Sequence, residues 1–518
     1  MRISPVKITT RKASIAALLC VSATAMTVQG CTDLSESPVS AISPDNYYRT
    51  QAEVIGGLAG VYAGLRNTLD EYWNISQVSS DETIVPTRGS DWFDNGKWLE
   101  LHRQTWTPTS AAGLDNINGA WVNLWAGIAR ANVVLNALKP NQIENQAVVE
   151  AELRTLRAYY YIALMDMFGP VPIVTTTEIK ERTQDSRADV FKFIETELIA
   201  ARTGLPAKWD AGNHGRLTQG AVDAMLVSIY LNARVYSGTV TTAGLTAGAA
   251  RWQDVITVAD RIINSATYSL ASNWNANFAY NNQTSPENIF VVRFSTIDGL
   301  GFNHNMKSFH YNIANFGGWN GFSTLADTYN AFDNADLRKR IFLVGPQSNL
   351  NTGAPALDRA GNRLNYTAVI RDPTQAAENE GARVYKFTID PAVTNQNQPN
   401  DFPIFRLGEV YLSKAEAQNE LGQTAASLAI VNQLRARVFT PAKPLATSLT
   451  QAQARTAIYN ERLFELTHEG KRRQDMIRNG TYNAPLVFKT ASAPFRILMP
   501  IPASQLATNS LLKQNPGY

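Results

Sequence analysis

Cysteine and histidine are scarce in this chain of 518 residues, which contains two cysteines and five histidines. Cys20 lies inside an apolar N-terminal run and Cys31 directly follows that run. Because no cysteine comes later, the rest of the chain has no disulfide, no thiolate metal site and no cysteine nucleophile. His304 and His310 match neither one helix face nor a standard zinc spacing, and the other histidines stand alone. No metal site is predicted.

A strong excess of one charge is also missing. The chain has 47 basic and 44 acidic residues, a formal net charge of +3 at pH 7. Positions 1–30 hold four of the basic residues and no acidic residue, so the remainder has 43 basic against 44 acidic residues. A basic surface for nucleic acid is therefore not indicated. No phosphate-cradling loop, dinucleotide fingerprint or Ser-His-Asp pattern occurs, and no cofactor is predicted.

Long apolar runs are absent after the N-terminus. Residues 13–28 are apolar apart from Ser and Thr, and they lie between four basic residues and Gln29-Gly30-Cys31. This pattern predicts a secretory signal peptide over residues 1–30, because the run is shorter than the roughly 20 residues of a membrane span. A cysteine directly after a small residue favours a lipoprotein signal, in which Cys31 receives lipid. The alternative is an ordinary signal peptide with an incidental cysteine.

Helical periodicity dominates the rest of the chain. Residues 31–45 are rich in Ser and Pro and are interpreted as an acylated tether. Residues 267–400 are rich in Asn, Gly, Thr and aromatics, with short strand-like runs such as Asn288–Phe294. The sequence predicts an all-α fold, with a helical frame over 46–266 and 401–480 and an irregular, loop-rich insertion over 267–400. Apolar residues at three- and four-residue spacing predict helices over Thr50–Leu65, Ile117–Leu138, Ala147–Phe168, Ala188–Leu205, Leu217–Tyr236, Trp252–Ile263, Ile404–Leu421, Ala425–Val438 and Gln451–Glu469.

The later helices carry a repeat signature. The segment 404–415 follows the spacing that opens a tetratricopeptide helix, with Ile404 in the place of Trp. Gly408 is expected to let the facing helix approach. Gly422 is expected to end the helix in the left-handed conformation, and Thr424 to cap the next helix. No strict period of about 34 residues runs through the chain, so the pattern predicts a degenerate, tetratricopeptide-like α-solenoid frame.

Four ordered blocks resemble the SusD/RagB family of nutrient-binding outer-membrane lipoproteins. They include the helix-and-turn segment LRTLRAYYY…FGPVP, the segment DFPIFRLGEVY and the ending QNPGY. Met499 and Ser510 stand where the family usually has an aromatic residue and a proline, and neither has an obvious ligand role. Together with the lipoprotein-type start, the blocks span nearly the whole chain. They lie at residues 153–172, 401–417, 461–475 and 499–518.

The resemblance implies a single family domain over residues 46–518, built of tetratricopeptide-like helix pairs. It implies a lipid-anchored protein of the outer membrane, exposed at the cell surface. It also implies a partner, a SusC-like TonB-dependent outer-membrane transporter, over which the lipoprotein sits. Ligands in such systems are usually oligosaccharides or polysaccharides, occasionally peptides, and they are bound without covalent chemistry.

Three carboxylates in the third block are possible catalytic groups. Glu461, Glu465 and Glu469 stand at four-residue intervals, which places them on one helix face. Paired carboxylates act in glycosidases, but a pair on one helix points the same way rather than across a cleft. Arg462 and the run 471–473 are close enough in sequence to neutralise them. A structural ion-pair network is predicted instead of an active site.

Aromatic residues are the remaining chemistry for ligand binding. Sugar rings rest their C–H faces on flat aromatic surfaces, while their hydroxyls need Asn, Asp, Gln or Arg partners. Segments 91–98 and 311–320 have that mixture. Because most tryptophans are buried, Trp106, Trp121, Trp125 and Trp252 are expected in the core. The candidate ligand-binding residues are Trp92, Trp98, Tyr311, Asn315, Phe316, Trp319 and Asn320.

Three functional classes follow. The leading one is non-catalytic capture of glycans for a transporter. The second is a peptide-binding or scaffold lipoprotein with the same frame. The third, a surface glycosidase, is disfavoured because the sequence offers no opposed carboxylates. The sequence does not name the glycan.

Overall fold

Helices form most of the regular secondary structure in the computed structural model, which describes residues 47–518. The predicted signal peptide, the lipidation site Cys31 and the tether 31–45 lie outside the described residues. The chain from Tyr48 to Tyr518 forms one compact unit. Its longer helices are α1 Gln51–Ala63, α2 Asn118–Ala137, α3 Gln146–Phe168, α4 Arg187–Arg202, α5 Gln219–Leu231, α6 Trp252–Asn264, α7 Leu407–Glu420, α8 Thr424–Ala436 and α9 Gln451–Leu466.

The longer helices pack against one another in chain order. Each of α1 to α6 contacts the next, α6 contacts α7, and α7 contacts both α8 and α9. Their apolar faces share one large core, and α3 is buried almost throughout its second half. Trp106 and Trp121 lie in this core, as predicted, while Trp125 and Trp252 are half-buried against it. The helical fold is confirmed, and a regular solenoid repeat within it stays a prediction.

Shorter elements connect and decorate these helices. Short helices lie at Leu65–Asn67, Thr68–Tyr72, Trp73–Val78, Asp94–Gly96, Lys97–Arg103, Gly113–Ile117, Ala211–Asn213, Ala233–Tyr236, Trp274–Phe278, Asn282–Thr284, His304–Ser308, Ala326–Ala331, Leu337–Ile341, Arg472–Arg478, Pro494–Ile497 and Ala503–Thr508. Antiparallel strand pairs join Thr83–Ile84 with Ser323–Thr324, Thr239–Thr241 with Gly244–Thr246, Asn288–Val292 with Phe402–Arg406, Phe342–Leu343 with Arg383–Val384, and Gly345–Pro346 with Asn365–Tyr366.

Residues 267–400 have their own small apolar core. Among the described residues of this stretch, strands and helices are short and loops connect them. Phe309, Ile313, Leu364 and Tyr366 form an apolar cluster separate from the main core. Buried apolar contacts order the surrounding loops, because a packed side chain cannot change its rotamer freely. The loops of this stretch therefore stand on a packed base.

The helix predicted from Ile404 begins instead at Leu407, so that boundary was wrong. Residues Phe402–Arg406 form a strand that pairs with Asn288–Val292, and Arg406 is extended at φ −140° and ψ 160°. The strand pairing, which involves residues more than a hundred positions apart, overrides the local helical spacing.

Two smaller predictions around this helix also need correction. Thr424 is the first residue of α8 rather than its cap, and its hydroxyl donates to Asn419 Oδ1 at 3.0 Å. A Cβ on Gly408 would lie 2.5 Å from Arg406 Nη1 and 2.8 Å from Glu465 Oε1. Charged side chains therefore fill the space beside Gly408. Gly422 has a φ of +79°, and its predicted left-handed conformation is confirmed.

Candidate functional site

Residues 309–320 form a surface loop whose two ends are fixed together. Backbone hydrogen bonds join Trp319 N to Met306 O at 2.6 Å and Asn320 N to Phe309 O at 2.7 Å. The loop packs its inner side on the small apolar cluster of residues 306–389. A loop closed at its base and supported from below presents its outer side chains in a defined arrangement.

Trp92 joins this loop to segment 91–98. Its indole N–H donates to the carbonyl of Trp319 at 2.6 Å, and its backbone has the unusual φ of +62°. The Trp92 ring lies directly on the backbone at Gly321, where an added Cβ would be 2.3 Å from Trp92 Cε2. Only glycine fits there without moving the ring. The structure therefore brings segments 91–98 and 311–320 together.

Tyr311 lies between a carboxylate and a guanidinium group. Its hydroxyl donates to the Asp91 carboxylate, and the guanidinium carbon of Arg359 lies 4.6 Å from its ring centroid. Arg359 is also 3.5 Å from Asp91 Oδ2 and donates to Glu378 Oε2 at 2.8 Å. Burial, followed by the hydrogen bond to Asp91, raises the pKa of Tyr311 to about 12. The phenol is therefore neutral at physiological pH.

The candidate residues differ in exposure. Trp92, Tyr311, Phe316 and Trp319 are half-buried, and Asn315 is exposed. The indole N–H of Trp319 and the side-chain amide of Asn315 donate to no described residue. We call the residues Asp91, Trp92, Phe93, Tyr311, Trp319 and Arg359 the aromatic patch.

Trp98 and Asn320 support the patch from behind. Trp98 is 5% exposed, packs 5.3 Å from the ring of Phe322 and donates to Asp94 Oδ2 at 2.7 Å. Asn320 is fully buried, and its Oδ1 accepts from Arg383 Nη2 at 3.0 Å. Neither side chain presents a surface to a ligand in this structure, so direct contact is expected from the other five candidates.

Two residues of the patch were not singled out from the sequence. Phe93 is 56% exposed and lies next to Trp92, so its aromatic character in a loop was a usable signal. Arg359 had no such signal, because it belongs to a turn 48 positions after Tyr311. Only the folding of the turn over the loop places the guanidinium on the tyrosine ring.

The three carboxylates of the third block are buried in a cluster of charges. Glu461, Glu465 and Glu469 are at most 4% exposed. Arg338 Nη1 lies 2.7 Å from Glu461 and 3.0 Å from Glu465, and Arg406 reaches both Glu465 at 2.6 Å and Glu469 at 2.8 Å. The predicted ion-pair network is confirmed. We call Glu287, Arg338, Arg406, Arg437, Glu461, Glu465 and Glu469 the charge cluster.

The partners inside this cluster differ from those predicted. Arg462 faces Asp475 at 2.9 Å, Arg472 faces Asp81 and Arg473 faces Asp166, both at 2.8 Å. Glu469 lies beyond Leu466, the last residue of α9, so the expectation of a single helix face was wrong for it. The real partners come from distant parts of the chain.

Histidines and acids do not form a metal site in the described part of the chain. Within residues 47–518, no group of three or more His, Cys, Asp or Glu side chains is arranged to hold a metal ion. His304 lies between Trp73 and Phe302, with ring centroids at 4.7 and 4.9 Å, and burial lowers its pKa well below the usual value. Across the same residues, no helix has the length and apolar character required to cross a membrane.

Sequence comparison identifies the family. The family model described as "SusD family" matches residues 260–518, half of the chain, and a model described as "Starch-binding associating with outer membrane" matches residues 42–231. The chain belongs to the SusD family.

Individual relatives are similar over nearly their full length. SusD-like protein P25 of Formosa agariphila is 23% identical, with 94% of this chain and 96% of the relative covered. The starch-binding protein SusD of Bacteroides thetaiotaomicron is 23% identical, with coverages of 86% and 85%.

Solved structures share the fold. A laminarin binding SusD-like protein has a TM-score of 0.72 and 24% identity, covering 91% of this chain and 100% of its own. Surface glycan-binding protein A from Bacteroides thetaiotaomicron, solved in complex with laminarihexaose, has a TM-score of 0.70 and 19% identity, with coverages of 90% and 99%.

Proposed function

We propose that this protein captures glycans at the outer membrane without cleaving them and delivers them to a SusC-like TonB-dependent transporter. Membership of the SusD family and relatives named for binding starch, laminarin and surface glycans support this function. The observation that carries it is the aromatic patch, where Tyr311 and Trp319 on the fixed loop 309–320 lie beside Asp91 and Arg359 from other parts of the chain.

The chemistry of the patch suits a sugar. The half-buried rings of Trp92, Tyr311 and Trp319 offer flat apolar faces for the C–H faces of pyranose rings. The free N–H of Trp319 and the 55% exposed Arg359 side chain are donors for hydroxyl oxygens. A neutral glycan needs this combination of stacking and hydrogen bonding.

The fixed geometry of the patch favours capture. The base of the loop is closed by hydrogen bonds, and Trp92 is bonded to Trp319. Little conformational freedom remains to be lost when a ligand binds, so more of the contact energy appears as affinity.

The carboxylates argue against hydrolysis. A glycosidase needs a carboxylic acid with a raised pKa to protonate the leaving group. At the patch, burial opposes ionisation of Glu378, but the hydrogen bond from Arg359 lowers its pKa overall. Asp91 accepts a hydrogen bond from the hydroxyl of Tyr311 and also faces Arg359. The carboxylates of the charge cluster are buried away from any ligand.

The proposed organisation places the family domain at the cell surface. Residues 1–30 act as a signal peptide, Cys31 carries lipid, 31–45 is a tether and 46–518 binds glycan and transporter. Metabolic labelling with a fatty-acid probe tests this arrangement: the wild-type protein is expected to label and to fractionate with the outer membrane, and Cys31→Ala is expected to do neither. Equal labelling of both would contradict the lipid anchor.

A binding screen tests the function. The chain from Thr32 onward is to be titrated with starch, laminarin, other polysaccharides and oligopeptides, and the mixtures analysed for released sugar. We expect retention by a polysaccharide without product. Trp319→Ala is expected to weaken that binding about tenfold, because it removes a stacking face. Tyr280→Ala, which removes an exposed aromatic residue from a different loop, is the matched control and is expected to bind normally.

Each other outcome of the screen has a definite meaning. Released sugar would overturn the non-catalytic proposal. Retention by peptides alone would favour the peptide-binding alternative. Equal loss in Trp319→Ala and Tyr280→Ala would show that the aromatic patch is not the binding surface.

A further inference from the structure

A second surface feature lies away from the residues of the aromatic patch. Two neighbouring hollows, of about 310 and 700 Å³, share one wall, which we call the ridge and which is formed by Arg293 and residues 214–216. The smaller hollow has an apolar floor that includes Leu58 and Val292, and Arg66 stands at it. We call the two hollows together the arginine cleft.

Two arginines of this cleft have no acidic partner. Arg66 Nε donates to the backbone carbonyl of Arg293 at 3.2 Å, which places the two residues side by side. Neither guanidinium forms an ion pair with any carboxylate of residues 47–518. Burial and then the charge of Arg293 lower the pKa of Arg66, as expected for a cation near another cation. By contrast, Arg216 in the same cleft is neutralised by Glu152 at 2.5 Å.

The ridge is held in position from behind. Gly215 has a φ of +86°, and a Cβ there would lie 2.5 Å from Arg293 Cδ, so the arginine stem rests on bare backbone. The buried Asp401 contacts His214 Nε2 at 2.6 Å and accepts the backbone N–H of Phe294 at 3.4 Å. One carboxylate thus fixes the neighbours of Gly215 and of Arg293, so the stem of the exposed Arg293 starts from a defined position.

The larger hollow offers two aromatic rings and polar groups, although the guanidinium of Arg216 covers one face of Trp209 at 4.0 Å from the ring centroid. Trp209 and Tyr268 line it, and Tyr268 is bonded to Thr218 Oγ1 at 2.9 Å. Lys208 and Asp210 add one cation and one anion to its lining, and the side chains of Gln283 and Asn288 also line it. Aromatic faces beside amides and hydroxyls are the combination that a sugar ring requires.

We propose that the arginine cleft binds an acidic sugar, with its carboxylate at the Arg66–Arg293 pair and its ring in the larger hollow beside Trp209 and Tyr268. Arginine is suited to this role because its planar fork binds carboxylates in bidentate fashion. An acidic side chain of a partner protein would match the arginines but would leave the larger hollow empty. The cleft would give the protein a selectivity for charged glycans that the aromatic patch does not supply. The inference rests on the proposed function in one respect, that the ligand is a glycan.

Calorimetric titration with a defined acidic oligosaccharide tests the cleft. The probes are tetragalacturonate and its fully methyl-esterified form, which has the same rings without the charge, added at low salt to the chain from Thr32 onward. We expect tetragalacturonate to bind and the ester to bind about tenfold more weakly. Arg293→Gln and Arg66→Gln are each expected to cause a similar loss with an unchanged unfolding midpoint. Arg340→Gln, an exposed arginine without an ion-pair partner among the described residues, is the matched control.

The possible outcomes separate the two proposals. Equal affinity for acid and ester, or no binding of tetragalacturonate, would overturn the acidic-sugar cleft. Binding of poly-L-glutamate in its place would assign the arginines to a protein partner and would also overturn it. Trp319→Ala is expected to leave the affinity for tetragalacturonate unchanged. Loss of neutral-glycan binding alone would count against the aromatic patch and leave the cleft standing.

Discussion

The charge cluster and the aromatic patch are both assembled from distant parts of the chain. They differ in whether their polar groups are buried and paired or exposed and available. In the cluster, Arg406 is fully buried and contacts Glu287, Glu465 and Glu469 at 2.9 Å or less. In the patch, Trp319 keeps an unused N–H and Arg359 is more than half exposed. In the cluster every charged side chain has an ion-pair partner, which holds the helices to the residues of 267–400, while in the patch unpaired donors remain for a ligand. We therefore expect stability and binding to be separable by mutation.

Breaking the cluster is expected to have the largest effect. Arg406→Met leaves three buried carboxylates without their shared cation, and removing one partner of a buried ion pair costs about 3–5 kcal/mol. The unfolding midpoint in urea is expected to fall strongly, or the protein to be recovered unfolded. The control Arg340→Met is expected to change stability by no more than about 0.5 kcal/mol. A wild-type midpoint for Arg406→Met would show that the cluster does not hold the fold.

Glu82 is a buried carboxylate that, unlike those of the charge cluster, forms no ion pair with any described residue. It accepts from Gln77 Nε2 at 3.0 Å and from the backbone N–H of His468 at 3.1 Å. Burial, with a contribution from Asp81, raises its pKa to about 8. Between these two pKa values the folded protein keeps this proton, whereas the unfolded chain releases it. The contribution of Glu82 to the free energy of unfolding is therefore fully present below the unfolded pKa near 4.5 and is lost as the pH rises toward 8.

Glu82→Gln removes that titration while keeping an acceptor oxygen. The variant is expected to be more stable than the wild type at pH 8, by on the order of 2 kcal/mol, and to lose less stability between pH 5 and 8. Urea unfolding at pH 5, 6.5 and 8 measures the difference. Glu144→Gln, at an exposed position, is the control and is expected to follow the wild-type profile. Parallel profiles for Glu82→Gln and the wild type would exclude a proton on Glu82.

The smallest effect is expected from a substitution beneath the aromatic patch, measured as glycan affinity. Gly321→Ala places a Cβ within 2.3 Å of the Trp92 ring, so the ring must move away from Trp319. Overpacking of this kind costs about 1–3 kcal/mol locally. We expect glycan affinity to fall about fivefold, with the helical circular dichroism unchanged. Gly60→Ala, in α1 with open space around it, is the control, and a loss of affinity there would point to a general effect of the substitution.

Local patterns in the sequence were sufficient for the helices. The range predicted as Ile117–Leu138 is the helix Asn118–Ala137, and Ala147–Phe168 differs from the observed helix by one residue. In these segments the apolar spacing agrees with the buried face, so propensity and packing favour the same structure. At Ile404 the local apolar spacing favours a helix, whereas the packing favours a strand. The segment pairs with a strand that lies far away in the sequence, and no local signal reports such a partner.

The candidate site was predictable in its segments and not in its individual side chains. Aromatics beside Asn, Asp and Gly indicated segments 91–98 and 311–320, which the structure brings together. Within one segment, however, Trp98 lies on a short helix facing the core while Trp92 lies in a loop. Composition does not distinguish the two tryptophans. Arg359 was missed because its role comes from a contact across 48 positions of the chain.

The closed base of the loop 309–320 has a consequence for the divergence of related proteins. Its ends are held by main-chain hydrogen bonds, which place no demand on the identity of the residues between them. Substitutions at its exposed positions, such as Asn312 and Asn315, leave the buried Ile313 and Ala314 in place, so we expect the proposed site to tolerate new ligand contacts without repacking of the base. If the proposed function holds, we expect selection for a different nutrient to act on these exposed positions while the buried framework stays as it is.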